Sequence, residues 1–527
     1  MADKPSYAGM KIGEDHVTDM IYTDSTGEYT LPDYMPEIRR ILSVTSKVLP
    51  SGQFIGSDRV EFAGNCVHTV IYTGGEGKLA AVSLQSDYEF SVPRKGCDPT
   101  ETKASVISRP ENVTVRLSGP RKVGIRTVVG SQVHVYCEAE LRDGLSGLEG
   151  AGEIELLTKT VPCRLCVPLL SPDLHYTNST KAEGGEGEVE ILSGEGNVLV
   201  REARAVSGGA ICRGEIWVRC LYTVGDGPPT VAQTKIPFEE LLPADEVDGT
   251  FSAMGWGRCQ QVDVSASADG AGGHTLTFDV TAVLEGQAAT NQLLRTLADV
   301  YAAEYPVSVS RRQMQLAETL GHFMGNYTVD GGVSRSESDA EDAIAIISTT
   351  GTAEMDSVEH QGNKVQLTGQ CKINMIVASA PDNAEGRPTY SAVNFHFPFK
   401  LQCDLPDALP PDAEFHAVLT FVSGRGRIDP ARLSADCELA LALEAYRQHR
   451  VGVVESAEAD TEHPVEKAPG ELVVVYLHDG ESLWSVAKRY HARQSDIVAL
   501  NKLPKSALEN ADAPYELDGF FKLLIER

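Results

Sequence analysis

The stretch "ILSVTSKVLPSG" that begins at Ile41 returns at Ile191 as "ILSGEGNVLVRE". The shift is 191 − 41 = 150 residues and needs no gap. Over the 37 positions from Ile41 to Gly77, 11 are identical: Ile41, Leu42, Ser43, Val48, Leu49, Ser57, Gly64, Tyr72, Thr73, Gly75 and Gly77. Chance pairing of ordinary compositions gives about two or three such matches, so the register is real. A fainter third copy starts at Ile346, shifted by 346 − 41 = 305, and repeats Ile41, Ser43, Val60, Gly64, Cys66 and Ile71. Further on, "PFEELL" from Pro237 is echoed by "PFKLQC" from Pro398. A chain that uses one pattern three times must build three versions of one unit.

Each copy alternates as strands do. "RVEFAGNCVHTVIY" and "GEIWVRCLYTV" are rich in Val, Ile, Tyr and Trp, and Gly-rich turns follow them. The aligned glycines Gly64, Gly214 and Gly369 mark a bulge or a close backbone contact. Each copy then has a second β-rich half, such as "RKVGIRTVVGSQVHVYCEAE". Helix is expected only for a turn or two after Pro36 and near Asn291–Ala303. The fold class is therefore mainly β: β-rich units at 1–150, 151–305 and 306–454, then a small α+β module at 471–527. Between them, 455–470 ("ESAEADTEHPVEKAPG") is acidic, contains proline and lacks apolar period. It is expected to be an extended, solvated linker between independent domains.

The formal charge is 46 − 75 = −29. Such a surface repels nucleic acid and anionic lipid, and neither is expected as a partner. "MADKPSYAGMKIGEDHVTDM" has no basic stretch leading into an apolar core, and no apolar run is long enough for a membrane span. The chain is thus expected to stay in the cytoplasm where it is made. Its 11 cysteines are an odd, scattered set, which suits a reducing compartment. The one C-x-x-C pair, Cys163 and Cys166, lies in an extended, Val- and Pro-rich segment with no second pair to complete a zinc site, and both are read as packing thiols.

In the terminal module "LVVVYL" (472–477) is a strand by its β-branched run. Ser482 is a good N-cap, and Leu483, Val486, Ala487 and Tyr490 fall on one face of a helix. Ser495 and Asp496 open a second helix whose Ile497 and Leu500 are expected to face the same core. "FFKLLIE" ends the module as a strand.

This βααβ order resembles the LysM domain, with matches at Tyr476, Asp479, Gly480, Ser482, Leu483, Trp484, Ala487, Tyr490, Ile497, Leu500, Asn501 and Leu503. One departure is the stretch "PKSALENADAPYELDGFF", longer than the family's usual loop. The resemblance implies a shallow groove for N-acetylglucosamine polymers or a protein partner. Asp479, Gly480, Glu481, Ser482 and Leu483 would form one wall, facing Asn501, Lys502, Leu503 and Pro504. Asp479 and Asn501 serve equally well as turn or capping residues. "LPDYMPEIRRILSV" (31–44), ahead of the repeat, looks like the SPOCS domain of spore-coat morphogenetic proteins. SPOCS-like copies followed by one LysM are the layout of the SipL type of spore-forming clostridia. That resemblance implies synthesis in the mother-cell cytoplasm, assembly at the forespore and spore-coat surface, and recruitment of the coat scaffold ATPase, stage IV sporulation protein A.

No catalytic motif accompanies these features. There is no His-Glu-x-x-His, Gly-x-Ser-x-Gly or phosphate-cradling loop, the 13 histidines lack metal-ligand spacing, and no cofactor is expected. The leading expectation is a non-catalytic adaptor in spore-envelope assembly. A peptidoglycan binder with the repeats as spacers is the alternative, and a glycan-cleaving enzyme with an unrecognised site is a third.

Overall fold

In the computed structural model the period-two alternation is carried into long antiparallel strands. The structure describes residues 11–75, 77–94, 102–140, 145, 147–184, 187–269, 273–338, 340–381, 388–466, 470–478, 480–508 and 514–526. Among them the chain is mainly β, with only two short α-helices.

The first unit holds β1 (Lys11–Thr30), β2 (Arg40–Ile55), β3 (Arg59–Thr73), β4 (Leu79–Pro93), β5 (Thr102–Gly119) and β6 (Lys122–Glu140). They pair as the sheets β2-β3-β4 and β1-β6-β5. The second holds β7 (Ile154–Leu170), β8 (Leu174–Lys181), β9 (Val189–Val206), β10 (Gly209–Val224), β11 (Thr230–Pro243), β12 (Ser252–Ala268) and β13 (His274–Ala302). Its sheets are β9-β10-β11 and β12-β13-β7, with β8 also on β13. The third holds β14 (Val307–Ser334), β15 (Ala343–Gln361), β16 (Lys364–Ser379), β17 (Thr389–Asp404), β18 (Glu414–Ile428) and β19 (Arg432–Ala459), paired as β15-β16-β17 and β14-β19-β18. In each unit the two sheets meet along both flanks, β2 beside β5 and β4 beside β1 in the first, so the unit approaches a closed barrel. Closure protects sheet edges that would otherwise recruit foreign strands. In β17 inward Val393, Phe395, Phe397, Phe399, Leu401 and Cys403 alternate with outward Asn394, His396, Pro398, Lys400 and Gln402.

The positions that align in sequence also coincide in register. Pairing of the first two strands of each three-stranded meander slips at Leu42, Leu192 and Ile347, and again at Ser51, Arg201 and Asp356. These are the same two bulges at shifts of 150 and 305. Gly64, Gly214 and Gly369 lie directly opposite Tyr88, Phe238 and Phe399 on the neighbouring strand. A Cβ at any of the three would collide with that ring and with a backbone carbonyl, of Leu49, Leu199 or Glu354 respectively. The glycine therefore makes room for a cross-strand aromatic, and the bulge sits on the other flanking strand.

The first bulge also joins the units. Leu42, Leu192 and Ile347 meet Ile71, Leu221 and Ile376 in one apolar cluster to which each copy brings its matching pair. Each fully buried Leu or Ile there contributes about 1.5–3 kcal/mol. The units thus surround a pseudo-threefold centre. Away from it, the ends of β7 and β13 pack on the ends of β14 and β19 through Leu294, Leu297, Val300, Met314, Leu316, Val451 and Val454.

Three expectations are corrected. Asn291–Ala302 is strand, not helix: it pairs with β7 from Ile154 to Arg164, and this long-range ladder overrides local helical propensity. The segment after Pro36 forms no helix and passes through a bend at Arg39 into β2. The acidic linker does not begin at 455, because β19 continues to Ala459 in register with β14, with Ala457 buried. Beyond it, the amides of Asp460 and Val465 donate to the carbonyls of Pro306 and Glu304 at 2.9 Å each. Apolar alternation in "VGVVESAEA" keeps this acidic stretch in the sheet. Residues 467–469 lie outside the described set.

One buried and one half-buried histidine are expected to make the fold sensitive to acid. His68 is fully buried between hydroxyls, with Nδ1 2.7 Å from Ser46 Oγ and Nε2 2.8 Å from Ser86 Oγ, and burial lowers its pKa to about 4. Burial, with Arg164 and His134 nearby, lowers that of His416 to about 3. An unfolded histidine binds its proton near pH 6.5, before either folded site does, so acid favours unfolding. Stability is expected to fall as the pH drops from about 6.5 towards 4, read from urea midpoints at pH 7 and pH 5. His68→Gln should flatten that slope.

Candidate functional site

The terminal module runs β20 (Leu472–Tyr476), α1 (Leu483–Arg489), α2 (Gln494–Asn501) and β21 (Lys522–Glu526), with β20 and β21 paired antiparallel. Ser482 caps α1 reciprocally: the Ser485 amide donates to Ser482 Oγ at 3.2 Å, and the Ser482 amide to Ser485 Oγ at 3.1 Å. Leu483, Val486, Ala487, Ile497, Val498, Leu503, Leu523 and Ile525 form the core.

The residues expected to line a groove divide sharply. Asp479 lies outside the described residues. Gly480 is exposed at φ +79°, a turn conformation suited to glycine. Glu481 pairs with Arg489 at 2.7 Å and accepts from the His478 amide, and the guanidinium holds its carboxyl below the usual range. Leu483 is fully buried and Leu503 nearly so; both are core residues rather than groove walls. Asn501 Nδ2 donates to the carbonyls of Ile497 (2.9 Å) and Leu524 (2.6 Å), while its Oδ1 accepts from the Leu524 amide (2.7 Å). This fastens α2 to β21 and commits the side chain to structure. Lys502, left-handed at φ +56°, and Pro504 are exposed. Leu500 also differs from expectation: it points to solvent and Val498 takes its place in the core.

The unusually long loop accounts for much of this. Its residues 515–517 lie against the loop between β20 and α1, with the Leu483 amide donating to Tyr515 O at 2.8 Å and the Leu517 amide to Glu481 O at 3.1 Å. A bridge joins Ser482 and Glu516. Backbone groups of the first groove wall are thereby used within the chain.

No protein-family model, curated protein or solved structure matches this chain. Its site must be judged from its own geometry.

That geometry points to the outer face of the terminal sheet. The cores of α1 and α2 cover Val475, Leu523 and Ile525, but Leu472, Val474, Tyr476 and Leu524 project from the opposite face, with Phe521 edge-on to Tyr476 at 5.5 Å. Tyr476 and Phe521 are 62% and 75% exposed. The signal was present in "LVVVY", a strand apolar on both sides when only one side has a core to face.

The module is not free to swing. Asp299 near the end of β13 accepts from Trp484 Nε1 at 3.0 Å and from Lys488 Nζ at 2.7 Å. Burial alone would raise the Asp299 carboxyl, but these donors outweigh it and hold the group below its ordinary range. Tyr301 Oη donates to Ala492 O at 2.9 Å, its ring meets Trp484 edge-on at 5.0 Å, and Arg493 pairs with Glu153 at 2.6 Å. An independent domain on a loose tether was expected. Docking is decided instead by Trp484 and Lys488 meeting β13.

Elsewhere, Cys163 and Cys166 lie three residues apart on one strand, a spacing that points them to opposite faces. Among the described residues no three His, Cys, Asp or Glu side chains are arranged to hold a metal, and no helix is long and apolar enough to cross a membrane. A feature that sequence reasoning missed is a cavity of about 1020 Å³ between the three units, lined by all of them. Strand alternation marks its residues only as outward-facing. It takes the assembly of the units to turn them towards each other.

Proposed function

We propose that this chain is a non-catalytic adaptor. In this view three SPOCS-like β-units form a scaffold, and a LysM-like module docks a protein partner through the outer face of β20 and β21. One observation carries the proposal. Among the described residues, eight of the sixteen large exposed apolar side chains lie in the last 56 residues, and Leu472, Val474, Tyr476, Phe521 and Leu524 gather at one sheet face. Contiguous apolar surface on an otherwise strongly acidic molecule marks an interaction site. The resemblance to SipL-type coat proteins supplies the setting: assembly around the forespore in the mother-cell cytoplasm, with a coat scaffold ATPase of the stage IV sporulation protein A kind as partner. Peptidoglycan is the less favoured ligand, because Asn501 and the first loop are engaged within the module.

Tyr476→Ser with Phe521→Ser tests the reading in the full chain. Both side chains are exposed, so the variant should keep its circular dichroism while its affinity for the purified scaffold ATPase falls at least about tenfold, as loss of two aromatic anchors predicts. Unchanged affinity would remove the sheet face from consideration. Retention on insoluble peptidoglycan, independent of both substitutions, would favour the glycan binder, and sugar released from it would make the protein an enzyme.

A further inference from the structure

The docking face leaves unused the cavity between the three units. Strands β2, β5, β9, β12, β15 and β18 all contribute to its wall. All four carboxylates of the lining are tied to cations that also line it, as Glu195 is to Arg219 and Glu285 to Arg258, which leaves Lys47 and Arg425 in excess. Lys47 is half-buried and makes no hydrogen bond or ion pair with the described residues. Its charge acts on Glu195 and Cys259 from across the boundary between the first and second units.

Cationic charge to spare in the lining calls for a ligand that brings negatively charged acceptors. The repeat does not require Lys47, whose equivalent positions are Asn197 and Thr352. About 1020 Å³ is far more than a bare inorganic ion fills and matches sites for small organic molecules. We propose that the cavity binds a small organic anion, whose carboxylate or phosphate oxygens pair with Lys47 and Arg425, the lining cations that no carboxylate of the lining neutralises. In a protein of net charge −29, this local excess of cations would draw such a ligand inward.

Calorimetric titration of the full chain with citrate and, separately, with pyrophosphate, at ionic strength held constant with sodium chloride, tests this. Saturable binding of at least one probe is expected, and the preferred probe distinguishes a carboxylate from a phosphate ligand. Lys47→Met breaks no ion pair and should weaken binding about tenfold or more, and Arg425→Gln should weaken it severalfold. Absence of saturable binding for both probes at millimolar concentration, or a Lys47→Met variant with full affinity, would overturn the assignment. Preferential binding of hexaglutamate would also overturn it, by giving the cavity to an acidic peptide.

Discussion

Glu444→Ala is expected to destabilise the chain by about 3–5 kcal/mol, the cost of leaving a buried charge without its partner. Glu444 on β19 meets Arg164 on β7 at 2.5 Å, and their side chains are 2% and 8% exposed. Gln287 Nε2 also donates to this carboxylate, and Thr319 Oγ1 does so at 2.9 Å. The Arg164 guanidinium lies over the Tyr446 ring, 5.6 Å from its centroid. The network joins the second unit to the third, so its loss should loosen their contact as well as lower stability. The melting midpoint should fall by something on the order of 10 °C. Replacing the pair together, Arg164→Met with Glu444→Leu, should recover most of that loss, because apolar groups of similar volume need no desolvation. If Glu444→Ala melts within a degree or two of the parent, the pair contributes nothing to holding the units together.

Leu483→Asp is expected to unfold the terminal module rather than blunt a groove. Leu483 has no exposed surface and packs in the small core with Val486, Ile497 and Ile525. An unpaired carboxylate there costs at least about 4 kcal/mol, most of what a domain of some 55 residues has to spare. Amide exchange should become fast throughout α1, α2 and the β20–β21 ladder, while the β-units keep theirs. The released Trp484 should also shift its fluorescence to the red as it leaves Asp299. A folded module that merely bound its partner less well would return Leu483 to a contact surface.

Much of this architecture was legible because it depends on local periodicity. The 150- and 305-residue shifts located the glycines Gly64, Gly214 and Gly369, whose role follows from a strand's two-residue repeat and one aromatic neighbour. The Ser482 cap and the α1 face were also readable, since a helix terminus is resolved within four residues of its own chain. Errors arose where distant partners intervened. "NQLLRTLADVYA" looks helical by itself and becomes strand because β7 offers it a ladder. Ser456 and Ala457 sit in acidic sequence that looks solvated, and β14 keeps them in the sheet. The LysM resemblance puts Leu483, Asn501 and Leu503 on a groove, whereas burial commits Leu483 and Leu503 to the core and hydrogen bonds to Ile497 and Leu524 commit Asn501 to joining α2 and β21.

The amino-acid sequence by itself determined a β-rich chain with one pattern used three times and a small helical module at its end, because strand and helix periods are short-range properties of neighbouring residues. Only the tertiary structure decided that Leu42, Leu192 and Ile347 share one cluster, that Arg164 is neutralised by Glu444, and that Trp484 is held by Asp299. Those partners are 150 or more residues apart, and nothing in a local pattern records which outward face will meet which. The central cavity and the uncovered apolar sheet are consequences of that packing, since a surface acquires a chemical role only once its neighbours are fixed around it.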